Sequence, residues 1–321
     1  MACLVRLNFV RILIVKLFPA AELFHALPTV HQLRRAYGAK IDWVVHEQGA
    51  EMVACFDDVN RVIVYPEDEL KHANRQNFRK ELHQETYDLV VDLQGAMQSA
   101  LVCKSARKNR GAEVLGPSFQ TEGACFMYTA TTGIRDRERH PVVECMDVLR
   151  YLDIQTQPIA FPLRFPMPFL AKSLPHSFVA CSLDGVRKKD RLTAAFWIET
   201  VQRLNHPVVL LGGRDSEELA DEVEDSLLDL PIYNFVRQIN LAEQGGVMQA
   251  AETVIACDAL SVHMAAYLRC QTIALFGSGK TTRMQPFDSL CSVIEGSDIE
   301  PKAIVAARDE LKEQRGEVVS F

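Results

Sequence analysis

The sequence predicts an α/β protein of two doubly wound domains, each a parallel sheet with helices on both faces. Three observations carry that prediction. Short, apolar, β-branched runs alternate with stretches of helical spacing. The alternation is broken once, by a proline-dense window over residues 155–177. The chain has 321 residues, 48% of them hydrophobic and 24% charged, which is enough for two ordinary domains with real cores.

RILIVKL at 11–17 reads as the first buried strand. After a loop, residues 22–37 read as an amphipathic helix closed by Gly38. IDWVVH at 41–46 and RVIVY at 61–65 are the next strands, and residues 67–86 are charged at helical spacing. DLVVDL at 88–93 is a strand that leads into a helix running to about Lys108. Pro158, Pro162, Pro166, Pro168 and Pro175 then exclude both helix and central strand, so this window is an interdomain linker. FVACS at 178–182, PVVLL at 207–211, TVIAC at 253–257 and TIALF at 272–276 are strands of a second sheet. Helices are expected over 193–204, 215–228 and 261–268, with a charged terminal helix over 300–315. The expected domains are 1–157, a linker at 158–176, a second domain at 177–299, and a terminal segment at 300–321 that packs back on the first domain.

Charge narrows the function. The net charge of −7 argues against a general nucleic-acid binder, which needs a basic face. Residues 1–160 are nearly balanced, with 19 Lys and Arg against 20 Asp and Glu, so the excess acid lies beyond them. The first half is therefore the better place to meet an anionic partner. It carries Arg75, Arg79 and Lys80, then Lys104, Arg107, Lys108 and Arg110, then Arg135, Arg137 and Arg139. Solvated helix faces are the plain alternative for each cluster. The nine cysteines are scattered without a C-x-x-C pair, which suits reduced cytosolic thiols and no zinc site. Arg6, Arg11 and Lys16 interrupt the apolar runs near the N-terminus, so no signal peptide or membrane span is expected.

In doubly wound sheets ligands bind beyond the carboxyl ends of the strands. Several loops there carry candidate chemistry. Glu22 follows the first strand and suits a general base, with His25 three residues on. Its plain alternative is a charge partner for the helix dipole. Asp92 lies near the end of DLVVDL, with Gln94 and Gly95 after it, as polar groups at a cleft rim or as cap and turn. Ser182 leads to Arg187, Lys188, Lys189 and Arg191, cations able to hold a pyrophosphate, with a solvated basic loop as the alternative. Gly212-Gly213 precedes Asp215 and Glu217, acids suited to ribose hydroxyls or simply to charging a helix N-terminus. Asp258-Ala259-Leu260-Ser261 and His263 open a helix after TVIAC, where Ser261 and backbone amides suit an anion. GSGKTT at 277–282 imitates a P-loop, but Ala274 stands where the motif needs glycine.

Taken in order, these segments resemble the ADP-heptose:lipopolysaccharide heptosyltransferases, glycosyltransferase family 9. RILIVKLFPAAELFHALP fits the family's K-x-S-x-x-G-D-x-x-H-x-x-P frame, with Lys16, Glu22, His25 and Pro28 in register. IDWVVHEQGAEMV is similar to the heptosyltransferase I branch in particular. YDLVVDLQGAMQSAL, the helix from His140 (HPVVECMDVLRYLDI), KKDRLTAAFW and ACDALSVHMAAYL occupy the places of further family segments. The resemblance covers almost the whole chain. It implies a GT-B fold, two Rossmann-like domains facing each other across a cleft, and metal-independent inverting transfer without a cofactor. The implied donor is ADP-L-glycero-D-manno-heptose, bound as substrate. The implied acceptor is the Kdo and inner core of lipopolysaccharide, met from the cytoplasm by a chain attached at most peripherally to the inner membrane.

By resemblance Glu22 and Lys189 are catalytic. Ser182, Arg187, Lys188, Glu217, Asp258, Ala259, Leu260, Ser261 and His263 bind the donor, and His25, Asp92, Gln94, Gly95 and His140 the acceptor. The chain departs from the family at several points. Its base is Glu rather than Asp. Pro19 and Ala21 stiffen the preceding loop, Ala259-Leu260 replace Thr-Gly, and Arg191-Leu192 replace Trp-Pro. A non-catalytic nucleotide-sugar binder and a GT-B nucleotide-sugar epimerase are the alternative functions.

Overall fold

The computed structural model describes residues 10–66, 72–134, 136, 138–185, 192–257, 259–277, 285–287, 290–296 and 299–318. The chain divides into two compact units, Met1–Arg164 and Phe165–Phe321. The division falls inside the proline-rich window. Each flank of it is tied within its own unit. Arg164 N donates to Cys55 O at 2.9 Å and Asp57 N to Pro162 O at 3.1 Å in the first unit. In the second, Gly245 and Gly246 lie so close to Phe165 and Pro166 that neither has room for a Cβ.

The first unit contains strands β1 (Arg11–Val15), β2 (Lys40–His46), β3 (Arg61–Tyr65), β4 (Tyr87–Asp92), β5 (Lys108–Pro117) and β6 (Ala130–Thr132). All pair in parallel, in the order β3-β2-β1-β4-β5-β6. Its helices are α1 (Ala20–Leu23), α2 (Leu27–Tyr37), α3 (Ala50–Val53), α4 (His72–Leu82), α5 (Met97–Ser105), α6 (Pro141–Cys145) and α7 (Asp147–Tyr151). The second unit repeats the plan with β7 (Val179–Gly185), β8 (Val208–Leu211), β9 (Ile232–Asn234), β10 (Thr253–Cys257), β11 (Gln271–Phe276) and β12 (Cys291–Glu295), in the order β12-β11-β10-β7-β8-β9. Its helices are α8 (Ala194–Leu204), α9 (Glu217–Ser226), α10 (Leu241–Ala250), α11 (Ala259–Tyr267) and α12 (Pro301–Val318).

The central strands read as unbroken apolar runs because helices cover both of their faces. Ile12, Leu13, Ile14 and Val15 of β1 are fully buried, as are all four residues of β8. In both units the chain order reverses next to the first strand, between β1 and β4 and between β7 and β10. Such a reversal opens a crevice at the carboxyl edge of the sheet, and that is where a ligand fits.

Several expectations need correction. The helix predicted over 22–37 is interrupted: α1 is followed by a 3-10 turn at Phe24–Ala26 and then by α2. Pro28 in the first turn of α2 has no N–H to continue a preceding helix. Gly38 does cap α2, at φ 59°. The helix predicted through Lys108 stops at Ser105, and Lys108 opens β5. Four strands and α10 were not predicted at all: β5, β6, β9 and β12. The terminal helix, expected to return to the first domain, buries Ile304, Ala307 and Leu311 in the second unit's core beside Trp197 and Val201 of α8.

Candidate functional site

In the first unit, β1 and β4 are joined side by side with Val15 in register with Asp92. The next residue on β1, Lys16, is therefore level with Leu93. Lys16 is buried, and its Nζ donates to Leu93 O at 3.1 Å. The same ammonium lies 3.6 Å from Glu22 Oε2. Trp43 Nε1 donates to Lys16 O at 3.1 Å and fixes the backbone beneath. Glu22 sits in the first turn of α1 with 45% of its side chain exposed. A carboxylate is thus held toward solvent by a cation that is itself out of it, where screening is weak.

The β4 loop closes the crevice from the other side. Gln94 Oε1 accepts from Leu17 N at 3.1 Å and Phe18 N at 3.3 Å, so Gln94 is tied to the β1 loop. Asp92 points inward. Its carboxylate accepts from Gln94 N, Gly95 N, Ser99 Oγ and Tyr128 Oη at 2.7–3.0 Å. Burial pushes its carboxyl up, against the lowering effect of those donors, Gly95 and Tyr128 first. Gly95 adopts φ 76°, and a Cβ there would meet Pro117. Asp92 and Gly95 therefore shape the rim, while Gln94 lies on it.

His25 is buried and meets the ring of His140 edge-on at 5.3 Å. His140 caps α6, its Nδ1 accepting from Val142 N at 3.2 Å. Cys145, at the end of α6, is also close to the charged pair. Burial pushes its thiol up to about 11, with Lys16 pulling it down and Glu22 pushing it up. The structure therefore brings Glu22 and Gln94 to the edge between β1 and β4, and pairs His25 with His140 below.

In the second unit the corresponding crevice lies between β7 and β10. Ser182 of β7 is buried, and its Oγ donates to Ser261 Oγ of α11 at 2.9 Å. Cys257 Sγ donates to Asp184 O at 2.9 Å across the same gap, where the β7–β10 register shifts. Two neutral hydroxyls at the opening of a helix suit an anion. Leu260 is half-buried, and His263 is wholly buried and stacks on Tyr267 at 5.5 Å. On the far side of β7, Gly212 and Gly213 leave β8, and Asp184 accepts from Gly213 N and Ser216 Oγ. Glu217 opens α9 and is paired with Arg237, a residue at φ 60°. Arg187, Lys188, Lys189, Arg191 and Asp258 lie outside the described residues, as does the GSGKTT segment after Gly277; Ala259 is described as the first residue of α11.

Two residues of these crevices stood outside the sequence-based site, Asp184 and Arg237, while Lys16 entered it only as a place in the family frame. The signal for Asp184 was a charge just beyond the buried run of its strand. Among the described residues, no three His, Cys, Asp or Glu side chains are grouped to hold a metal ion. Nor, among them, is any helix long and apolar enough to cross a membrane.

Comparison with known proteins agrees with this layout. The family model for glycosyltransferase family 9 (heptosyltransferase) matches residues 195–313. Lipopolysaccharide heptosyltransferase 1 of Pseudomonas aeruginosa is 26% identical over 292 residues, which cover 83% of this chain and 78% of that protein. Its Escherichia coli K12 counterpart is 35% identical over 99 residues, 28% of this chain and 31% of that one. Among solved structures, an Escherichia coli heptosyltransferase with ADP superposes with a TM-score of 0.80 at 21% identity, covering 94% of this chain and 100% of that one. A family 9 glycosyltransferase from Veillonella parvula gives 0.82 at 15% identity, covering 96% and 98%.

Proposed function

We propose that the chain, which has the fold of the heptosyltransferases and matches the glycosyltransferase family 9 model over residues 195–313, transfers a heptose from ADP-L-glycero-D-manno-heptose to the Kdo-bearing inner core of lipopolysaccharide. The observation that carries the reading is the Lys16–Glu22 pair at the β1–β4 crevice. Transfer to a sugar hydroxyl needs a base within hydrogen-bond reach of that hydroxyl. Glu22 offers a half-exposed carboxylate at that crevice, and Lys16 restricts where it points.

The acceptor oxygen attacks the anomeric carbon on the face opposite the leaving group. As that bond forms, the anomeric carbon–oxygen bond to the diphosphate breaks, and ADP leaves with its electron pair. The acceptor proton passes to Glu22. Configuration at the anomeric carbon inverts. The departing diphosphate gains charge, which Lys189 and the Ser182–Ser261 side of α11 stabilise in place of a metal. Gln94 and His140 face the acceptor, and buried His25 packs against His140. The reaction takes place in the cytoplasm, with the chain reaching its lipid acceptor peripherally at the inner membrane.

The test is product formation from ADP-heptose and a deacylated Kdo-bearing core in EDTA, with wild type beside Glu22→Gln. Turnover by wild type, and a loss on the order of 10²-fold or more in the variant, is the expected result. Full activity in Glu22→Gln would remove Glu22 as the base, and inactivation by EDTA would remove the metal-free mechanism.

A further inference from the structure

Asp184 follows the buried run of β7, a carboxylate at the edge of a unit read here as binding an anionic donor. Its geometry resolves the apparent conflict. Both carboxylate oxygens accept from Gly213 N at 3.0 Å, and Oδ1 also accepts from Ser216 Oγ at 2.6 Å. A Cβ on Gly212 would lie 3.1 Å from the same Oδ1 and 3.0 Å from Ser216 Cβ. Asp184 therefore fills the inside of the Gly212–Ser216 turn, and the Gly213 N–H is already occupied.

β7 thus divides the carboxyl edge into two sides of different chemistry. Toward β10 lie the neutral hydroxyls Ser182 and Ser261 at the opening of α11. Toward β8 lie three acids, Asp184, Asp215 and Glu217, the last paired with Arg237. Carboxylates accept hydrogen bonds from a diol and repel phosphate.

We propose that Asp184 is a positioning residue. It holds the Gly212–Ser216 turn as the ribose-side wall of the nucleotide site and so directs the diphosphate to the Ser182–Ser261 side. The proposal rests on the nucleotide-sugar reading above.

The experiment is calorimetric titration of the full-length protein with ADP and with AMP. Wild type, Asp184→Asn, Ser216→Ala and the double variant are compared, with melting curves alongside. If Asp184 acted only as a nearby negative charge, Asp184→Asn would tighten ADP. As a positioning residue, its loss weakens ADP and AMP by the same factor, about tenfold for one charge-assisted hydrogen bond. Ser216→Ala weakens both by a few-fold and adds little on top of Asp184→Asn, because both act through one turn. If Asp184→Asn does not fold, the equal loss in Ser216→Ala carries the test alone. Tighter or unchanged binding in the variants, or a loss confined to ADP, overturns the proposal. A wild-type protein that binds neither nucleotide overturns the nucleotide-sugar reading together with it.

Discussion

The two units have the same strand plan, six parallel strands whose order reverses beside the first, yet they equip the crevice differently. In the first unit a long charged chain and an amide span the gap: Lys16 reaches Leu93 and Glu22, and Gln94 reaches the β1 loop. In the second, short hydroxyl and thiol groups span it: Ser182 to Ser261, and Cys257 to Asp184. The first arrangement holds a half-exposed carboxylate toward solvent. The second offers small neutral donors on one side and acids on the other. A shared backbone geometry therefore sets where a ligand goes, and the side chains at the strand ends decide whether that place reacts or binds.

The amino edges show the reverse relation. There both units hold an ionic cluster. In the first, buried Asp42 accepts from Arg11, Arg61 and Tyr87. In the second, Glu252 is met by Ser177, Arg308 and Lys312. These edges are expected to govern stability alone.

The largest effect that tests this contrast is Glu22→Gln. It should lower kcat on the order of 10²-fold or more while ADP affinity, read by calorimetry, stays at the wild-type value. A parallel fall in ADP affinity would merge the two roles. Next is Asp42→Ala, which strands Arg11 and Arg61 around an emptied, buried position. Chemical denaturation should show a loss of about 3–5 kcal/mol, with the turnover of the folded fraction unchanged. Lys16→Met comes third. It leaves Leu93 O without its donor and Glu22 without its partner. A loss of about 1–3 kcal/mol is expected from the buried carbonyl, together with roughly tenfold in kcat. A stability loss without a kcat loss would make Lys16 purely structural.

The smallest effect concerns pH. Burial disfavours the Glu252 carboxylate, but hydrogen bonds from Lys312, Ser177 and Arg308 outweigh it and hold the carboxyl at about 2. A depressed native value means that the stabilisation is present above the ordinary glutamate range and is lost as pH falls toward about 2. Melting curves of wild type and Glu252→Gln should therefore differ at neutral pH and converge in acid. A constant gap would show that charge is not what the cluster contributes.

The sequence revealed the parts of the fold that are locally consistent. β1, β2, β4, β7, β8, β10 and β11 are short apolar runs, and their burial on both faces leaves no other reading. β5 begins with the polar KNRGAE, and β6 and β9 have three residues each, too few to show a period. α10 contains Gly245-Gly246, which locally reads as a breaker. It is helical because Phe165 and Pro166 pack onto those glycines from about 80 residues away in sequence. The site divides in the same way. Glu22, Gln94 and Ser261 stand out because loops after strands are where ligands go. Lys16 entered only as a place in the family frame and Asp184 did not enter, since their partners lie 77 and 29 residues off along the chain.

The passage from Arg164 to Phe165 has an evolutionary consequence. The chain crosses from one unit to the other once, and every strand finds its ladder partners on its own side of that peptide. A gene break at this point would carry away a whole sheet with its helices and its crevice. Each half is thus a unit of inheritance, and a lineage can exchange one sheet and its crevice while keeping the other.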